Sequence, residues 1–110
     1  MMEYYLIEDL RLGQLTFPDF LAQVEARFQE REPDVLAFLP EENRFGRLHD
    51  DAETLVLSYP DLVLRPILFG ALVGVKDIFH VEGFRTQAGS RLPYELLQGK
   101  EAKSVTRLSV

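Results

Sequence analysis

The apolar run Ile67 to Val75 constrains this chain more than any other stretch. It is bounded by Pro66 on one side and Lys76-Asp77 on the other, and it is rich in Val, Ile and Phe. That combination predicts a buried β-strand rather than a helix. Side chains alternate along a strand, so Leu68, Gly70, Leu72, Gly74 and Lys76 fall on one face. Ile67, Phe69, Ala71, Val73, Val75 and Asp77 fall on the other. The reading puts Lys76 at the end of a core strand, beside the space left by two glycines. An ammonium pushed toward apolar surroundings has its charged form disfavoured and can serve as a neutral base. The competing reading is a lysine that ends the strand and reaches water beside Asp77.

Composition bounds the rest. A chain of 110 residues with ordinary apolar and charged content fits one small domain. No apolar run approaches the roughly 20 residues of a membrane span. The start, Met-Met-Glu-Tyr-Tyr, lacks the basic region of a signal peptide, so a cytoplasmic setting is expected. With no cysteine there is neither a disulfide framework nor thiolate chemistry. The net charge of −6 is uneven: residues 1–65 hold 14 acidic and 6 basic side chains, and residues 66–110 hold 4 and 6. An acidic first half argues against direct nucleic-acid binding, which needs clustered Lys and Arg.

Taken in order, Tyr4 to Leu12 predicts a short helix with Leu6, Ile7 and Leu10 on one side and Gly13 as its stop. Thr16 then suits an N-cap, with Pro18 in the first turn and Asp19 at the positive helix end. Phe17, Phe20, Leu21, Val24 and Phe28 recur at helical spacing as far as Arg31, opposite Gln23, Glu25, Arg27 and Glu30. Glu32-Pro33 is expected to end that helix. Val35 to Leu39 predicts a short strand closed by Pro40, and Glu41 to Arg47 a polar loop. Asp50 or Asp51 caps a helix running to Tyr59-Pro60, and Leu62 to Leu64 is expected to be extended. Beyond the central strand, Gly83, Gly89 and Ser90 mark a loop wrapping near its end. A last helix is expected from about Lys100, with Ala102, Val105 and Leu108 inward.

Other chemistry-bearing residues read as structural. His49-Asp50-Asp51 and the distant His80 lack metal-ligand spacing, so no metal and no cofactor are expected. Gly70 and Gly74 lack the Lys-Ser/Thr of a phosphate loop. Ser90, Ser104 and Ser109 lack a nucleophile elbow.

The segments Gly70-Ala-Leu-Val-Gly-Val-Lys76-Asp77 and Val81-Glu-Gly83-Phe-Arg-Thr86-Gln-Ala-Gly89-Ser90 resemble the amidase signature family. That family has a Gly-Ile-Pro-x-x-Val-Lys-Asp strand followed by a Gly-x-x-Thr-x-x-Gly-Ser loop. The resemblance implies an α/β fold, the N-terminal fragment of an amidase domain over residues 1–110, with helices packed on a mixed β-sheet and an incomplete core. It implies a Ser-cisSer-Lys mechanism on a small-molecule amide, with Lys76 the catalytic general base, Asp77 its support, and both serines supplied by a later Gly/Ser-rich segment. On that reading this chain by itself is inactive. Ala71-Leu72 stands in place of Ile-Pro, Ile78 in place of the Asn of tRNA-dependent amidotransferase A subunits, and Gln87 in place of a frequent Thr. The alternatives are such an A subunit, or a non-catalytic remnant acting as an interaction module. An incomplete core also predicts exposed apolar surface at Leu68, Phe69, Val73 and Phe79, and self-association.

Overall fold

A computed structural model describes residues 2–109, with side chains described from Ile7 onward. Among the described residues the chain is built of helices and turns and contains no β-strand. The expected mixed α/β sheet is therefore corrected to an all-helical architecture. The chain forms two compact units, Met1–Ala71 and Leu72–Val110, and the boundary falls inside the apolar run that was expected to be one strand.

The first unit begins with α1 (Met2–Arg11) and α2 (Phe17–Val35), followed by α3 (Arg44–Ser58). Gly13, at a φ of +75°, lets the chain leave α1 through a left-handed turn. The α2 start is as its residues dictate: the Thr16 hydroxyl accepts from the Asp19 amide, and Pro18 lies in the first turn. Leu10, Phe20, Leu21 and Ala52 form the core, with Leu15, Phe17, Val24 and Leu48 packed around them. Ile7 is half-buried beside them in sequence; the expected inward Leu6 side chain lies outside the described residues. Burying Leu10 and Leu21 contributes about 1.5–3 kcal/mol each, the main reward for joining three short helices.

Two boundaries differ from expectation. Pro33 does not stop α2, which runs two residues further and ends at Leu36 in the left-handed region, with the Leu36 amide donating to the Glu32 carbonyl at 2.8 Å. The Glu32 carboxylate then accepts from the amides of Ala37 (2.6 Å) and Phe38 (2.9 Å). Those amides are spent on a helix cap, so the strand expected at Val35 to Leu39 has no ladder to join. At the other boundary α3 begins at Arg44, through the residues expected to be a loop. Gly46 leaves room in the first turn for the Asn43 side chain, which would have to move if a Cβ stood there. Glu41 accepts from Arg47 Nε at 2.5 Å and Nη2 at 3.0 Å, and this hydrogen-bonded pairing holds its carboxyl below the ordinary carboxylate range.

The stretch after α3 replaces the expected strand. Leu62–Leu64 is a single 3₁₀ turn whose N-terminus is capped by the Asp61 carboxylate accepting from Val63 N. Phe69 N then donates to Pro66 O (3.0 Å) and Ala71 N to Leu68 O (2.9 Å), two successive tight turns. Phe69 is 1% exposed between Phe17 and Tyr59, whereas Ile67 is 81% exposed and Leu68 also faces water. Of the four residues expected to be exposed and apolar, Leu68, Val73 and Phe79 are so; Phe69 is not. The Arg65 guanidinium lies 4.4 Å from the Phe69 ring centroid and donates to the carbonyls of Tyr59, Leu10 and Arg11.

The second unit has a 3₁₀ turn at Tyr94–Leu97 and one short helix, α4 (Lys103–Ser109), with Val105 buried, Ala102 half-buried before its start and Leu108 outward. No helix among the described residues is long and apolar enough to cross a membrane.

Arg65 donates to the last carbonyls of α1, Leu10 O and Arg11 O, and to Tyr59 O, so Arg65→Ala is expected to lower the unfolding free energy by about 2 kcal/mol in urea denaturation. Arg65→Lys recovers less than half of it, since an ammonium lacks the planar fork that meets several carbonyls while lying on a ring.

Candidate functional site

Lys76 lies on backbone outside any helix or strand in the second unit, and the residue is exposed. The ammonium has no ion-pair or hydrogen-bond partner among the described residues. The sequence reading placed it at the buried end of a strand; the structure places it in water, because the run before it forms no sheet that could carry it inward.

Its neighbour Asp77 is the organising residue of the loop. Asp77 Oδ1 accepts from Gln87 N at 3.2 Å, and the Asp77 carbonyl accepts from Ala88 N at 2.9 Å. These bonds bring the Gly83–Ser90 loop back to the Lys76-Asp77 step, as the pattern of glycines implied. The turn that makes this return possible uses left-handed backbone at Ala88 and Gly89, φ +51° and +69°. Phe79 N donates to Lys76 O at 3.1 Å and closes a tight turn directly after the lysine. Asp77 therefore ties the loop to the backbone beside Lys76 through the amides of Gln87 and Ala88.

Ser90 is used locally. Its hydroxyl donates to Gln87 O at 2.7 Å and accepts from Leu92 N at 3.2 Å. Ser109 donates to Val105 O inside α4. Neither hydroxyl is directed at a base.

Residues that the sequence left without a role hold the rest of this unit together. Thr86 is a buried polar side chain, and its hydroxyl lies 3.0 Å from His80 Nδ1. The His80 carbonyl accepts from Ala102 N at 2.9 Å, and the His80 ring fills the space beside Gly99, where a Cβ would lie 2.7 Å from Nε2. Glu101 accepts from the Thr106 hydroxyl (2.6 Å) and from Glu82 N (3.1 Å), which hold its carboxyl below the ordinary range, the hydroxyl the more strongly. Around these ties opens a shallow cavity of about 500 Å³ lined by His80, Phe84, Arg85, Tyr94 and Lys100, in which the Arg85 guanidinium stacks 4.2 Å from the Tyr94 ring centroid. Only the Gly-x-x-Thr-x-x-Gly spacing hinted at this; nothing in the sequence paired Thr86 with His80. Among the described residues no three His, Asp or Glu side chains converge as a metal centre requires. His49 borders a cavity in the first unit, while Asp51 is engaged with Arg47.

Comparison with known proteins gives no match: no family model fits the chain, and neither a curated protein nor a solved structure is significantly similar to it.

If Asp77 anchors the loop, Asp77→Ala should speed hydrogen exchange of the Gln87 amide about tenfold, the loss of one charge-assisted bond, with a smaller rise at Ala88. Exchange at Val105, in α4, should change little. Two-dimensional NMR after transfer to D₂O reads all three amides together.

Proposed function

We propose that this chain is the lysine-bearing portion of a cytoplasmic amidase, a hydrolase of carbon–nitrogen bonds in small amides. Lys76 is its general base and Asp77 its positioning residue. The reading is carried by one observation: the Asp77 side chain and carbonyl both receive amides of the glycine-bounded loop, Gln87 and Ala88, beside Lys76. A lysine next to a loop closed in this way is set at a fixed place in the chain, which a general base needs.

The two hydroxyl groups of the reaction come from another polypeptide segment on this reading. Seated over Lys76, that segment would also take the amine out of water and favour its neutral form. The neutral amine accepts a proton through a bridging serine as a second serine attacks the amide carbonyl; the amine leaves with a proton, and water releases the acyl group. Lys76→Ala, in a full-length protein that contains this chain, is expected to lower kcat for amide hydrolysis by about 10²–10⁴-fold. Lys76→Arg should be equally inactive, since a guanidinium does not deprotonate. Undiminished hydrolysis in the alanine variant contradicts the assignment.

A second reading, a non-catalytic interaction module, is favoured by the solvation of Lys76 together with the exposure of Val73, Ile78 and Phe79 around it. It predicts concentration-dependent self-association of the isolated chain in sedimentation velocity, weakened by Phe79→Ser. A monomer at every concentration speaks against it.

A further inference from the structure

The first unit contains a second cavity, of about 400 Å³, between α2 and α3. Glu25, Phe28, Phe45 and His49 are among the residues that line it. Phe28 is the centre of an aromatic group, with Phe45 set against it near-perpendicular at 5.6 Å and Phe38 tilted at 5.7 Å. This group already holds a cation. The Arg44 guanidinium lies 4.8 Å from the Phe28 centroid and 5.5 Å from that of Phe38, fixed by donation to Leu39 O and by its pairing with Glu41. The rings thus already attract positive charge, and Arg44 with its partner Glu41 also lines the cavity, so a second cation would lie beside this pair.

Glu25 supplies an independent observation. Helical spacing put it on the outer face of α2, yet it is half-buried and lines the cavity. It makes no hydrogen bond or ion pair with any described residue. Glu25 thus leaves an unpaired carboxylate on the cavity wall, where a cation seated in the cavity would meet it. The excess of acidic over basic side chains in residues 1–65, 14 against 6, adds a field that draws cations toward this unit.

We propose that the α2–α3 cavity binds an organic cation of the guanidinium or methylated-ammonium type, held against Phe28 and Phe45 with Glu25 as its counter-charge. The proposal is independent of Lys76 and of amide hydrolysis. It is tested by NMR titration of the whole chain with N-acetylarginine methylamide and, separately, with tetramethylammonium chloride, against sodium chloride at equal ionic strength. The expected result is saturable shift of the Glu25, Phe45 and His49 amides with at least one probe. Glu25→Gln should weaken that binding roughly three- to tenfold, and Phe45→Leu roughly two- to fivefold. Saturation with the arginine probe alone assigns a side-chain guanidinium, and with tetramethylammonium alone a methylated amine. No saturation with either probe, or affinity unchanged in both folded variants, overturns the proposal; should one variant fail to fold, the other decides.

Discussion

Burial of the Phe69 ring is the constraint on which the second half of the first unit depends. The ring meets Phe17 at 5.5 Å and Tyr59 at 6.2 Å, and Arg65 lies across it. To insert this one side chain the backbone must turn on both sides of it. Gly70 makes the second turn at a φ of +81°, pressed so close to Phe17 that a Cβ would sit 2.7 Å from the ring. Fully burying such a ring is worth about 1.5–3 kcal/mol, and the surrounding aromatic contacts add to it. A straight strand would forgo that placement, and the described residues provide no second strand to reward it with a ladder. The cost is visible on either side, where Ile67 and Leu68 are left in solvent.

The same constraint decides the situation of Lys76. Because the run opens in turns and continues without a ladder, no sheet carries the lysine inward, and the backbone beside it is tied instead by Asp77 and the amides it gathers. A fixed backbone with a solvated amine is half of what base catalysis needs. Desolvation and hydroxyl groups are the other half, and in the proposed function both arrive with one covering segment. The cation site between α2 and α3 stands on other ground, since its rings and its carboxylate are already in place.

What the sequence disclosed follows the range of the interactions involved. Thr16, Pro18 and the 3.6-residue recurrence from Phe17 to Phe28 act within one or two turns, and α2 starts where they say. Pro33 misled because a proline without its own amide bond can still ride in a helix whose end is held beyond it, here by the Glu32 carboxylate. The Asn43–Gly46 fit that opens α3 is a local contact with no composition signal. The apolar run misled most. Its Val, Ile and Phe content suits a pleated surface, but strand formation needs a partner strand, and that is a property of the whole chain. At the candidate site the return of the loop to Asp77 was legible from its glycines. The Thr86–His80 contact and the inward position of Glu25 were not, because each depends on how distant backbone packs.

Backbone and side-chain NMR over residues 66–76 tests the central claim most directly. Turns around a buried Phe69 predict nuclear Overhauser contacts from its ring protons to those of Phe17 and Tyr59, with no cross-strand Hα–Hα contacts and no run of β-type carbon shifts from Ile67 to Val75. A continuous β-type shift pattern there, with Hα–Hα contacts to another extended segment and none from Phe69 to Phe17, would contradict the account.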